Sequence, residues 1–178
     1  AVSNDSLFRI ASMSKAFTAL AILKLRDEGK VVLDAPAETY VPELKGWKYP
    51  TSDAPKITVR NLLTHSAGFV EDNPWGDRQQ VLTEGEFTAM LKDGVSFARG
   101  PGLAMEYSNL GYALLGRIIS NVSGARYQDY IRRDIMVPLG MSSTTYDIFA
   151  SPPQRRAIGY RWVGTAWARE PDMKDGAF

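Results

Sequence analysis

The tetrad Ser12-Met13-Ser14-Lys15 opens a strongly apolar stretch, which places a serine and a lysine one turn apart at the start of a buried helix. An amine in that position can accept the proton of a serine hydroxyl, which is otherwise too weak a nucleophile. Far downstream stands Tyr107-Ser108-Asn109, which can bring a phenol and an amide to the same place. An S-x-x-K match alone is expected roughly once by chance in a chain this long. Tyr-Ser-Asn at a given position is expected at about one in ten thousand. The pair, each at a helix start, therefore points to an acyl-transfer site that works without histidine.

Composition narrows the alternatives. The 178 residues are 44% hydrophobic and 23% charged, enough for one unit with a real core, and the net charge of +1 is spread along the chain. Neither a nucleic-acid groove nor an anionic-membrane patch is expected from that balance. The longest purely apolar run, residues 19–23, is far too short to cross a bilayer. There is no cysteine, which excludes disulfides and thiolate chemistry and suits a cytoplasmic, periplasmic or secreted protein alike. With a single histidine, His65, no protein-only metal site is expected, and no cofactor is implied.

Periodicity and punctuation give the element order. Residues 7–10 read as a short strand ending at the Ser12 turn. From Met13 the pattern is apolar nearly all round, so this helix is expected to be buried, with Gly29 as its stop. Residues 31–42 read as a short extended piece and turn, and residues 45–56 as a loop bearing Trp47 and Tyr49. Thr58 caps a short helix reaching His65 and ended by Gly68, and an irregular loop carrying Trp75 follows. Thr83 and Glu86 form a capping box for a helix through Leu91. Further helices are expected over residues 110–122, closed by Gly124, and 127–136, stopped before Pro138. Residues 157–162 and 165–169 can pair as a hairpin across Val163-Gly164.

These residues resemble a known family, the serine β-lactamase/penicillin-binding-protein-like enzymes, in the branch of class C β-lactamases, D,D-peptidases and esterases. The likeness rests on the S-x-x-K tetrad and on the tyrosine form of the second motif. It is carried further by Asp27-Glu28-Gly29-Lys30-Val31-Val32-Leu33-Asp34, by Leu62-Leu63-Thr64-His65-Ser66-Ala67-Gly68, which is similar to the family's "LLTHTSG" segment, and by Pro138-Leu139-Gly140-Met141. The resemblance implies an α+β, β-lactamase/transpeptidase-like fold. The family's third motif, a K-T-G or H-x-G triad on a strand, does not occur; Lys174-Asp175-Gly176 has Asp where a small hydroxyl belongs. The expectation is thus a partial domain over 1–178: mainly the helical lobe plus short flanking strands, with the rest of the sheet and the second oxyanion donor outside the chain.

The roles implied are Ser12 as nucleophile, Lys15 as base or proton relay, and Tyr107 as the group that passes the proton to the leaving group. A lysine near its reference pKa of about 10.4, or a tyrosine near 10, needs burial or neighbouring charge for such work. Asn109 would orient Lys15 and bind a substrate carbonyl; the alternative is a helix-capping asparagine, and both roles can coexist. Trp75 and Phe69 are candidate walls of a substrate pocket. The reaction implied is acyl-enzyme cleavage of an ester or amide, including D-amino-acid peptides and β-lactam-like substrates. Two alternatives stand beside it: a penicillin-binding sensor that acylates without turnover, and a His65-dependent triad hydrolase, against which counts the absence of a G-x-S-x-G elbow. Substrate identity and oligomeric state are not specified by these residues.

Overall fold

A computed structural model describes residues 2–71 and 82–170. Trp75 and residues 174–176 lie outside the described residues. The first element begins where Ala11, at φ 43°, turns the chain into a single 3-10 turn, Ala11–Ser14. Ser14 Oγ donates to the Ala11 carbonyl at 2.7 Å and tightens that turn. It runs directly into α1, Lys15–Asp27, which ends as expected at Gly29, whose φ of 72° suits a residue without a Cβ.

The expectation that α1 is enclosed on all sides needs correction. One face is buried, through Thr18, Ala21, Ile22 and Leu25, while Leu20 is 46% exposed and Ala16 is open. Apolar composition measures how much surface a helix has to bury, and the described residues cover only one side. The helix that is enclosed along most of its length is a later one, Asn109–Ser123.

Residues 33–37 run beside 57–60, with Arg60 N–H donating to the Leu33 carbonyl at 2.8 Å and Ala37 N–H to the Ile57 carbonyl at 2.8 Å. Two 3-10 turns lie between, Ala37–Thr39 and Pro42–Gly46. Helix α2, Val59–Leu63, starts at Thr58, whose hydroxyl accepts from Asn61 N–H while the Asn61 side chain reaches back to Thr58 N–H. Helix α3, Glu84–Asp93, starts with the Thr83–Glu86 capping box read from the sequence. Helix α4, Asn109–Ser123, ends at Gly124 in the left-handed conformation. Helix α5, Tyr127–Ile131, widens into a π-type turn over Arg132–Met136, where Val137 N–H bonds the Arg132 carbonyl at 2.9 Å just ahead of Pro138.

The core is built on α4. Leu110, Leu114, Leu115, Ile118 and Ile119 are buried against α1, α2 and α5. Each fully buried Leu or Ile contributes about 1.5–3 kcal/mol relative to exposure. A second part of the core is aromatic: Trp47 meets Phe69 and Phe97 edge-on at 5.8 Å and 6.2 Å, and its indole N–H donates to the Leu91 carbonyl.

Strand structure is sparse among the described residues. The hairpin forms, with β1, Tyr160–Trp162, antiparallel to β2, Trp167–Arg169, in a register that pairs Trp162 with Trp167. It is shorter than read from the sequence, and its turn spans residues 163–166, closed by Val163 N–H to the Ala166 carbonyl. Residues 7–10 do not form a strand. Leu7 alone makes a parallel bridge to Arg156, and the chain then leaves for the Ala11 turn. β-forming side chains need a partner along their whole length, and only one residue finds it here. The described residues are thus a helical lobe with one short hairpin.

Candidate active site

Ser12 is the second residue of the turn that leads into α1, where the first N–H groups have no partner inside the helix. Its side chain is exposed and its oxygen has two donors close by. Lys15 Nζ donates to Ser12 Oγ at 3.1 Å, and the Tyr107 hydroxyl donates to it at 2.7 Å. The one-turn spacing of Ser12 and Lys15 produces the first contact locally. The second joins residues ninety-five positions apart.

What brings Tyr107 there is the start of α4. Ser108 is the N-cap: its hydroxyl accepts from Gly111 N–H at 2.9 Å, and the residue is buried. That leaves Asn109 as the first helical residue, one position inside the cap. Asn109 Oδ1 accepts from Lys15 Nζ at 2.7 Å. The same ammonium lies 4.8 Å from the centre of the Tyr107 ring and 5.6 Å from that of Tyr112, within reach of the electron-rich ring faces. Burial first, and the Tyr107 charge second, push the Tyr112 phenol above its ordinary value. Tyr112 is therefore a neutral neighbour, and its hydroxyl donates to the Leu63 carbonyl.

His65 is not placed as the base of a serine triad. Its Nδ1 accepts from Ser108 N–H at 3.1 Å, and its ring stacks on Tyr107 at 4.5 Å, while Ser12 Oγ is held by Lys15 and Tyr107. Phe69, read as a pocket wall, is 2% exposed and packs in the aromatic core with Trp47 and Phe97. A loop aromatic flanked by glycine gave no sign of which side it would turn to. The structure thus gathers Ser12, Lys15, Tyr107 and Asn109 and leaves Phe69 apart.

Sequence reasoning gave no separate role to Ser108 or Tyr112. A serine ahead of an apolar helical run was a usable cap signal for Ser108. Nothing local marked Tyr112, whose place depends on how α4 lies against α1. Among the described residues no group of three acidic, histidine or cysteine side chains could hold a metal ion, and no helix is long and apolar enough to cross a membrane.

Comparison with known proteins gives a consistent picture. A family model described as Beta-lactamase matches residues 1–178. The D-alanyl-D-alanine-carboxypeptidase/endopeptidase AmpH of Escherichia coli (strain K12) is 34% identical over 157 residues, which cover 86% of this chain and 40% of AmpH. Penicillin-binding protein 4* of Bacillus subtilis (strain 168) is 32% identical over 168 residues, 91% of this chain and 36% of that protein. A solved structure of a class C beta-lactamase matches with a TM-score of 0.78 at 28% identity, covering 97% of this chain and 45% of that one. The chain spans less than half the length of each.

Proposed function

This chain belongs to the Beta-lactamase family, and we propose that it carries the nucleophile, lysine and tyrosine of a serine hydrolase that acylates Ser12. The single observation that carries this reading is the convergence of Lys15 Nζ and the Tyr107 hydroxyl on Ser12 Oγ, at 3.1 Å and 2.7 Å. Both lie within the reach that proton transfer requires.

In the proposed reaction Ser12 Oγ attacks the carbonyl carbon of an ester or amide while its proton leaves to a basic neighbour. The Lys15 ammonium is already donating to Asn109 and faces two aromatic rings. That favours the Tyr107 oxygen as the proton acceptor: the phenol first gives up its own proton to solvent, and the phenolate, stabilised by Lys15, then takes the Ser12 proton. The carbonyl electrons move to oxygen, where the Ser12 N–H at the helix start can donate. As the tetrahedral intermediate collapses, the bond to the leaving group breaks and Tyr107 returns the proton to it. Water then attacks the acyl-enzyme by the same route and restores Ser12. The relatives' names, a carboxypeptidase/endopeptidase and a penicillin-binding protein, support D-amino-acid peptides or β-lactam-like compounds as the substrate class.

The test is intact mass of the full-length protein after incubation with a β-lactam and, separately, an activated phosphonate, beside Ser12→Ala. A stoichiometric adduct that Ser12→Ala cannot form supports the proposal, and its decay rate separates a hydrolase from a sensor that stalls. A full-length wild type left unmodified by both reagents overturns it.

A further inference from the structure

We propose that His65 is a positioning residue that holds Tyr107 in register with Ser12, an inference that rests on the reading of Ser12 and Tyr107 just given. His65 engages three consecutive residues, 106–108, the last two of them in the second motif. Its carbonyl accepts from Glu106 N–H at 2.7 Å, its ring stacks on Tyr107 with centres 4.5 Å apart and planes at 30°, and its Nδ1 accepts from Ser108 N–H at 3.1 Å. An Nδ1 that accepts carries no proton, so the imidazole acts here as a fixed acceptor.

The backbone is shaped for this clamp. His65 has φ 55°, a conformation that costs an ordinary residue roughly 1–2 kcal/mol. Hydrogen bonds on either side hold it: Thr64 N–H to the Arg60 carbonyl at 3.0 Å, and Ser66 N–H to the Asn61 carbonyl at 2.8 Å. The reversal lets the carbonyl and the ring of one residue meet the same strip of chain. Neighbouring carbonyls extend the support, since Ser66 accepts from Gly102 N–H at 2.8 Å and Gly68 from Ala98 N–H at 2.9 Å. Arg99 and Glu106 close the intervening loop with an ion pair.

One bond therefore orders two partners of the nucleophile. Ser108 N–H, fixed by Nδ1, belongs to the residue that caps α4, so the same contact sets Tyr107 on Ser12 and Asn109 on Lys15. Ser108 is 2% exposed, and water cannot readily replace a lost acceptor there. The role differs from that of a triad base: His65 acts through Tyr107 and takes no substrate proton.

The test uses the full-length protein and the rate of acylation at Ser12 by an activated ester, counted per titratable active site so that unfolded molecules do not contribute. His65→Ala, which removes acceptor and ring, is expected to lower kcat about 100-fold while KM moves less, because a displacement near 1 Å costs roughly that much. His65→Asn keeps an acceptor near the Nδ1 position and tolerates a positive φ, and should recover most of the loss. In a Tyr107→Phe background, either His65 change should cost no more than about 5-fold, the part that reaches Lys15 through Asn109, since contacting residues that act through one group are not additive. Undiminished cost in that background overturns the inference, and so does a His65→Ala protein that acylates at the wild-type rate. Should His65→Ala fail to fold, His65→Phe, which keeps a ring and removes the acceptor, carries the same cycle. A wild type never acylated at Ser12 overturns the function itself, a result distinct from both.

Discussion

Lys15 Nζ donates to Asn109 Oδ1 at 2.7 Å, tying the first residue of α1 to the first residue of α4 across ninety-four positions of sequence. The contact explains why two helix starts, each unremarkable alone, can form one site. Both helices present their N-terminal ends to the same point, so a hydroxyl, an amine, a phenol and an amide meet without a loop having to carry any of them far. Groups on rigid elements hold their geometry better than groups on loops.

Tyr107→Phe removes the hydroxyl 2.7 Å from Ser12 Oγ and nothing else. Acylation should slow by about 100- to 10,000-fold, the range for a lost proton-transfer group. The melting temperature should not change, because Tyr107 is only half-buried. Stopped-flow acylation and thermal melts check both parts, and an equally fast Phe variant would remove Tyr107 from the proposed mechanism.

Gly68→Ala is expected to be damaging well beyond its size. Gly68 has φ 82°, and an added Cβ would lie 2.3 Å from the Arg99 carbonyl oxygen, which is backbone and cannot swing away. Strain of this kind costs about 1–3 kcal/mol or more. The stretch it would displace leads to Tyr107, so acylation should fall along with stability. Urea unfolding and the acylation rate of the folded fraction measure the two effects.

Tyr127→Phe tests the packing behind α1. The Tyr127 hydroxyl bonds Thr18 on α1 at 2.8 Å and Tyr146 at 2.8 Å, and burial holds this phenol above its ordinary pKa. Loss of the oxygen strands the buried Thr18 hydroxyl, at a cost of about 1–3 kcal/mol. The urea midpoint should drop while acylation per folded molecule stays near wild type. An unchanged midpoint would show that the network contributes no net stability.

Glu28 gives a pH-dependent signature at the far end of α1. Hydrogen bonds first from Lys24 and then from Lys30 lower its carboxyl from 4.5 to about 2. A lowered carboxyl stabilises the fold above its ordinary pKa, and that contribution is lost as pH falls from 4.5 through about 2. The group is exposed, so salt should move its titration back towards the ordinary value. Carboxyl NMR at low and high ionic strength reads this directly; titration at the ordinary value in low salt would refute the pairing.

Much of the site was legible because its parts are local. Ser12 and Lys15 are one helical turn apart, and that spacing alone predicts their contact. The capping box at Thr83 and Glu86, the stops at Gly29 and Gly124, and the ending before Pro138 were likewise written in short stretches of chain, where backbone hydrogen bonding and allowed φ leave few choices. The motif Tyr107-Ser108-Asn109 announced itself by rarity, but its roles divided only once the helix start was in place: Ser108 caps, Asn109 meets the lysine, Tyr107 meets the serine.

What the tertiary structure alone decided is which side each element faces and which distant groups touch. The apolar pattern of α1 could not say that only one face would be covered by the described residues, and residues 7–10 have the character of a strand but find one pairing partner. Phe69 could equally have lined a pocket or joined the core, and packing against Trp47 and Phe97 chose the core. His65 and Ala11, the two non-glycine residues with positive φ among those described, both adjoin the site. Neither could be recognised from sequence, because such a conformation is unfavourable locally and is held there by contacts that exist only in the folded chain.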